Sequence, residues 1–434
     1  MNNIGLEVPV ILLPKLENLA KWPVIACDQF TQDRNYWEKA KEITAGSPST
    51  LNMIFPEVFL SDDEAEKRIE DIHFTMDRYL KDGVFAQPRK GFIYIERDTP
   101  HQKKRRGLVA AIDLDQYEWL PEARPLIRCT EGTVPERLPP RMDIRRGAPL
   151  ELPHVLLLID DDTDSLLPAL GEKLKHTTPV YNTPLMMDSG NVTGWYVDSE
   201  SDIVFIFEKL DELYRRSLNR YKDSENNKPF LFAVGDGNHS LATAKGIWEE
   251  IKLSLKDKEA LLSHPCRYAL VEIENIYDPA IQFEPIHRVV FDIGYDGIIT
   301  LLSKLPDFSC KPLKDEKELF AACKEPHKSG GNRFGIISEG RYALIETSAS
   351  GISTACLQPL LDEGCAKEKI DYIHDEDEVF RLTKEEQKTA GIILPPVQKS
   401  GLFETVARLG PLPRKSFSMG HSAEKRFYLE CRAL

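Results

Sequence analysis

The chain has 434 residues, with 56 Lys plus Arg against 70 Asp plus Glu and hence a formal charge of −14. Its 41% hydrophobic and 29% charged shares are those of a folded globular protein, which excludes collagen-like, low-complexity and wholly disordered classes. At roughly 150 residues per domain, the length points to two or three domains, or one body with a second lobe. The 8 cysteines form no C-x-x-C pair and no Cys/His spacing of a zinc site, so they read as reduced thiols. No apolar run approaches the ~20 residues of a membrane helix, and Met1 to Gly5 lacks the basic start of a secretory signal. The expectation is a cytoplasmic protein with no membrane partner. The negative balance opposes polyanions, so no nucleic-acid partner is expected either.

In chain order, Trp22 to Gln29 is an apolar run ending in Asp28 that reads as a strand and then a loop, and Asp62 to Lys81 has a helical period. Strand-like runs at Gly91 to Ile95 and Leu108 to Ile112 flank the basic cluster Lys103 to Arg106, which reads as a solvated turn. Val155 to Ile159 and Ile203 to Phe207 read as strands, Glu208 to Tyr221 as a helix and Lys222 to Lys228 as a polar surface loop. A strand at Phe230 to Val234 then feeds a helix at Ser240 to Lys252. Beyond it come strands at Tyr268 to Ile273, Phe334 to Ile337 and Tyr342 to Ile345, with helical periods at Ile298 to Leu305 and Glu316 to Lys324. This mixture predicts an α/β (mixed α+β) protein, divided into a core over 1–300 and a smaller C-terminal α+β lobe over 301–434, packed on the core.

The sharpest local signal is Gly235-Asp236-Gly237-Asn238-His239-Ser240. Two glycines close a buried strand and open a helix, whose free N–H groups and macrodipole favour an anion. It is neither a P-loop nor a complete dinucleotide fingerprint, because Gly235-x-Gly237-x-x-Ser240 lacks the last glycine. The plainer alternative is a strand-to-helix turn capped by Asp236 or Asn238. A second stretch, Thr130 to Gly147, carries Arg137, Arg141, Arg145 and Arg146 in a proline-stiffened loop. Such guanidinium forks suit phosphate or carboxylate oxygens; alternatively they pair with Glu131, Glu136, Asp143 and Glu151. Glu131 among cations stays ionised, as a base or metal ligand requires. His287-Arg288 precedes an apolar run and is either a site pair or a structural one. The acidic groups Asp160 to Asp164 and His374 to Glu378 could bind magnesium, but read as a solvated strand end and a helix or turn surface. The basic tail Pro413 to His421 lines the same anion site or forms a hairpin turn.

These segments, in this order, resemble the microbial domain-of-unknown-function family number ten-fifteen over essentially the whole chain. The resemblance runs through Trp22 to Asp28, Thr130 to Thr133, Gly194-Trp195, Asp236 to His239, Pro285 to Arg288 and Pro413 to Phe417. The family turn commonly reads Asp-Gly-His-His-Arg; here Asp236 and His239 match, while Asn238 and Ser240 depart. Of the family's His-Glu-x-Thr, Glu131 and Thr133 are kept. The Asp-Gly-x-His turn is also similar to the phosphate motif of the ParB and sulfiredoxin superfamily, which includes kinases of free L-serine. The resemblance implies a ParB/sulfiredoxin-like phosphate-binding core and phosphoryl transfer to a small hydroxyl metabolite. L-serine to O-phosphoserine is the implied reaction, in either direction, with pyrophosphate or a nucleotide as donor. Glu131 would be the base, Asp236 and His239 would orient the phosphoryl group, and Arg288, Arg141 and Arg146 would neutralise its oxygens, with Mg²⁺ bridging. Asp28, Thr133, Gly235, Gly237, Asn238, Ser240 and His287 would complete the binding site. The expectation from another class is a non-catalytic anion- or nucleotide-binding regulator.

Overall fold

The structure is a computed structural model that describes residues 3–434 apart from 32, 102–103, 222–227, 326, 328, 375, 387 and 398. Lys103 of the basic cluster, Asp375 of the second acidic group and residues 222–227 of the expected polar loop lie outside the described residues. The chain forms two compact units, one of Met1–Ile281 with Gly420–Leu434 and one of Gln282–Met419.

The first unit is built on a ten-stranded sheet. Its strands, numbered along the chain, are β1 (Leu6–Glu7), β2 (Phe92–Asp98), β3 (Arg105–Asp113), β4 (Tyr117–Glu118), β5 (Ile127–Cys129), β6 (Leu156–Ile159), β7 (Tyr181–Pro184), β8 (Asn191–Val197), β9 (Phe232–Asp236) and β10 (Tyr268–Asn275). They lie in the order β7-β8-β2-β3-β10-β6-β9-β5-β4, with β1 also on β3. The sheet is mixed: β9 runs parallel to β5, and β6 parallel to β10, whereas β6 and β9 are antiparallel. Side chains alternate across it. Phe92 and Tyr94 join a core with Leu157, Phe232 and Ile273, whereas Ile93 and Ile95 join another with Trp22, Ile25 and Tyr79. Because both faces are covered, the central strands read in sequence as continuous apolar runs.

Among the helices of this unit are α1 (Leu138–Arg145), α2 (Glu200–Arg220) and α3 (Asn238–Ser254). Helix α3 buries Leu241, Ala244 and Trp248 in the first core. The last fifteen residues return as a strap, in which Phe427–Tyr428 pair with Val24–Ile25 and Arg432–Ala433 pair with Leu150–Glu151.

The second unit holds a six-stranded antiparallel sheet of β11 (His287–Val290), β12 (Ser309–Leu313), β13 (Asn332–Ser338), β14 (Arg341–Thr347), β15 (Ile370–Ile373) and β16 (Ala390–Ile393). Their order is β12-β14-β13-β16-β11-β15. The expected division near residue 300 therefore falls differently in the contacts of the chain. Strand β11 lies between β15 and β16 and belongs to the second unit, while the β-pairings of the strap return it to the first.

The mixed α/β class holds. The expected strand at Ile203 to Phe207 does not form: it is the second turn of α2, whose start is fixed by Ser199 Oγ accepting from the Asp202 N–H at 3.2 Å. Ile206 and Leu210 turn inward, while Val204 is exposed, so a 3.6-residue period underlies what reads as a β-branched run. Two further corrections concern charge. Arg105, expected in a solvated turn, is buried in β3 beside Glu274, its Nε 2.9 Å from Oε1. The arginine-rich stretch is not a loop, because Pro139 and Pro140 occupy the first turn of α1.

Candidate functional site

The neighbouring parallel strands β5 and β9 end side by side, with Val234 opposite Cys129. Strands so paired are about 4.8 Å apart, so the segments leaving them, Thr130–Val134 and Asp236–His239, start as neighbours. Buried Thr130 fastens them, its Oγ1 donating to the Val234 carbonyl at 2.6 Å. Further out, the Val134 N–H donates to His239 Nε2 at 3.2 Å. That bond makes Nε2 an acceptor and leaves Nδ1 as the protonated nitrogen of a neutral ring.

The turn between β9 and α3 requires glycine. Gly237 has φ +82°, and a Cβ there would stand 3.1 Å from Val155 Cα. With no side chain in the way, the start of α3 lies against the segment before β6, and the Gly237 N–H donates to Asp236 Oδ1 at 3.0 Å. Asp236 Oδ2 is 3.1 Å from Lys425 Nζ of the strap.

On the other side of Val155 is His154. Its Nδ1 is 2.9 Å from the Tyr428 hydroxyl and its Nε2 3.8 Å from Asp28 Oδ2. The same hydroxyl accepts from the Cys27 N–H at 3.1 Å, and the Cys27 carbonyl accepts from the Glu57 N–H at 2.8 Å. Glu57 in turn pairs with Arg141, whose Nε donates to Oε1 at 2.9 Å. Burial holds the Glu57 carboxyl above the ordinary range, with Asp28 adding to the rise and Arg141 opposing it. Burial likewise raises the thiol of Cys27 and the phenol of Tyr428, so neither ionises near neutrality.

The structure thus brings Glu131, Thr133, Asp236, Gly237, Asn238 and His239 to the paired strand ends, with Gly235 and Ser240 flanking the turn. Asp28 and Arg141 join through His154 and Glu57. Arg146 is drawn away: it pairs with Asp143 and with Glu250, twelve residues along α3, or about 18 Å from its start at 1.5 Å per residue. Arg145 pairs with Glu151, so for these two arginines the alternative of local ion pairs is the one realised. His287 and Arg288 lie in the second unit. There His287 Nδ1 accepts from the Leu394 N–H at 3.0 Å, and buried Arg288 donates to Gln358 Oε1 at 2.8 Å beneath the Tyr372 ring.

Sequence reading missed Glu57, Tyr428 and Lys425. The available signal for the last two was the Lys425-Arg426 pair leading the apolar run Phe427 to Leu429, a few residues past the basic segment Pro413 to His421. Among the described residues, no group of three or more His, Cys, Asp or Glu side chains is placed to hold a metal ion. In the first acidic group, Asp161 is buried and accepts from the Ser165 and Leu166 N–H groups, so it is a structural cap rather than a solvated end. No described helix is long and apolar enough to cross a membrane.

A family model described as "Protein of unknown function (DUF1015)" matches residues 12–364. No curated protein matches the sequence. Among solved structures, a conserved hypothetical protein from Pyrococcus furiosus is similar at 13% identity over 75% of this chain and 94% of its own, with a TM-score of 0.35. A free serine kinase in complex with AMP is similar at 12% identity over 76% and 94%, with a TM-score of 0.38. SbnI with C-terminal truncation from Staphylococcus aureus is similar at 9% identity over 72% and 82%, with a TM-score of 0.36.

Proposed function

The chain belongs to the DUF1015 family of proteins of unknown function, and on that premise we propose that it is a phosphotransferase acting on a small hydroxyl metabolite. L-serine is the proposed acceptor and pyrophosphate or a nucleotide the donor, with the phosphate turn acting as in ParB/sulfiredoxin-type proteins. The observation that carries this reading is the Val134 N–H to His239 Nε2 bond, which holds the Glu131 segment beside the glycine turn. Phosphoryl transfer asks a protein mainly for positioning and for charge stabilisation, plus one carboxylate to take the acceptor proton.

In this reading the donor's terminal phosphoryl group sits at the start of α3, where the helix dipole and the N–H groups of a first turn, which no carbonyl of the helix engages, favour an anion. Glu131 takes the proton from the acceptor hydroxyl as its oxygen attacks the terminal phosphorus, and the bond from that phosphorus to the donor's bridging oxygen breaks, so that phosphate leaves from pyrophosphate or a nucleoside diphosphate from a triphosphate. His239, with Nε2 occupied by Val134, donates from Nδ1 toward the phosphoryl oxygens. Arg141, anchored by Glu57, lends positive charge to the donor's phosphates. A divalent cation bound with the donor would supply further neutralisation of its phosphates.

The test is to incubate the purified chain with L-serine, Mg²⁺ and either pyrophosphate or ATP, following phosphoserine by mass spectrometry and donor consumption by ³¹P NMR. Phosphoserine is expected with one donor, and Glu131→Gln should slow it by on the order of 10²-fold or more, the usual share of a general base. Donor binding without any product would refute the phosphotransferase and leave the anion-binding regulator.

A further inference from the structure

The proposed site contains an electrostatic conflict, because the Asp236 carboxylate and a phosphoryl group are both anions and repel at contact distance. A cation has to stand between them. No metal-holding cluster exists among the described residues, and the group found against Asp236 is Lys425, with Nζ 3.1 Å from Oδ2.

Lys425 does not arrive there as a loose tail residue. It is 8% exposed, and two buried guanidiniums fix its main chain. Arg97 donates to the carbonyls of Ala423 at 2.8 Å, Glu424 at 2.9 Å and Lys425 at 2.5 Å, and Arg105 donates to that of Glu424 at 2.9 Å. The Arg97 guanidinium also lies 5.2 Å from the centre of the Phe427 ring. Glu424 locks the same turn from the other side, accepting from Thr99 Oγ1 at 2.7 Å and from the His421 N–H at 2.8 Å. Desolvating two arginines to hold three consecutive carbonyls is expensive; the result is a lysine whose root is rigid while its ammonium keeps three donors to distribute.

We propose that Lys425, delivered by the C-terminal strap, is a donor-phosphate-binding residue. Its ammonium neutralises Asp236 when the site is unliganded and is shared between Asp236 and an oxygen of a pyrophosphate-type ligand when that ligand enters. The proposal rests on the reading of the site as one that takes a phosphate donor, and it adds a cation from outside the stretch matched by the family model.

The test is calorimetric titration of the full chain with inorganic pyrophosphate, for the natural protein and for Lys425→Met, Lys425→Arg, Asp236→Asn and the double variant Asp236→Asn/Lys425→Met. Circular dichroism confirms that each is folded. Lys425→Met should weaken binding on the order of 10- to 100-fold, the loss of one charge-assisted hydrogen bond, and Lys425→Arg should restore most of it. Asp236→Asn should bind as tightly as the natural protein or more so, because the whole ammonium passes to the ligand, and the double variant should be weaker than Asp236→Asn alone. Equal binding by Lys425→Met and the natural protein overturns the proposal. So does a double variant as tight as Asp236→Asn, which would make Lys425 merely the counter-ion of Asp236. Either result leaves the phosphotransferase reading standing if phosphoserine is still formed. Failure of the natural protein to bind pyrophosphate overturns the proposal, and the turnover assay with ATP then decides the phosphotransferase reading separately.

Discussion

Replacing Gly237 by alanine tests the turn on which the candidate site is built. Two penalties add. An alanine at φ +82° occupies the left-handed region, at roughly 1–2 kcal/mol. Its Cβ would also stand 3.1 Å from both Val155 Cα and Cγ2, and the Cα cannot swing aside as a side chain does, because the next residue, Leu156, is registered opposite Asp236. Such overpacking adds about 1–3 kcal/mol, for a total of roughly 2–5 kcal/mol. For a unit of this size, each kcal/mol lowers the midpoint by about 2–4 °C, so calorimetry should record a fall of roughly 4–20 °C. Gly132→Ala is the internal control, since its Cβ would meet nothing within 4 Å and its φ lies outside the left-handed range. It should stay within about 0.5 kcal/mol of the natural chain. If the two variants melt alike, the close approach of the start of α3 to Val155 is not what holds the turn.

Thr130→Val removes the donor to the buried Val234 carbonyl and should destabilise the first unit by about 1–3 kcal/mol, read as a lower urea midpoint at unchanged slope. Burial pushes the Glu274 carboxyl up to about 8 from 4.5, with Arg105 working against the rise. A raised acid holds in the native state a proton that the unfolded chain releases, so its contribution favours folding at low pH and is lost as pH climbs toward 8. Glu274→Gln should therefore flatten a decline of at most about 1.4 kcal/mol per pH unit, seen as midpoints that change less between pH 5 and 8. Chelation by EDTA should leave the melting temperature of the ligand-free chain unchanged, because the described residues form no metal cage, while abolishing phosphoserine formation; a lower melting temperature would reveal a resident ion.

How much of the fold and site was legible in the sequence depends on which interactions are local. The strand read at Phe230 to Val234, its glycine turn and the helix read at Ser240 to Lys252 are specified within some twenty consecutive residues by an apolar run, two glycines and a helical period; all three form, with the strand at Phe232–Asp236, the helix at Asn238–Ser254 and Gly237 at the N-cap in place of a capping Asp236 or Asn238 side chain. Glu131 and His239 were legible as residue types, but the adjacency of the segments that carry them depends on parallel pairing of β5 with β9, which no local pattern encodes. The arginine stretch misled because four guanidinium groups look alike in sequence, whereas partners decide their use: Glu57 takes Arg141, while Asp143 and Glu250 take Arg146. The strap was illegible for another reason. Its strands are two residues long, too short for a period of two to register.

Strands that short cannot fix their own register by apolar pattern, and the buried charges of the strap do it instead. Arg426 donates to Glu272 Oε2 at 2.5 Å and to Glu430 Oε2 at 2.6 Å, while the Tyr181 hydroxyl donates to the other oxygen of Glu430. Arg432 donates to Glu151 Oε1 at 2.6 Å. Buried pairs of this kind add little net stability relative to apolar packing, yet breaking one strands a desolvated charge at about 3–5 kcal/mol. A slip of one residue would set Phe427 or Lys425 where Arg426 stands, leaving Glu272 without its guanidinium and Glu430 away from the Tyr181 hydroxyl. The sheet side of this lock is equally constrained, since a Cβ on Gly107 would fall 2.1 Å from Glu272 Oε1. One register therefore survives, and in that register Lys425 meets Asp236. The charges that look misplaced in a hydrophobic core are what aim the tail of the chain at the glycine turn.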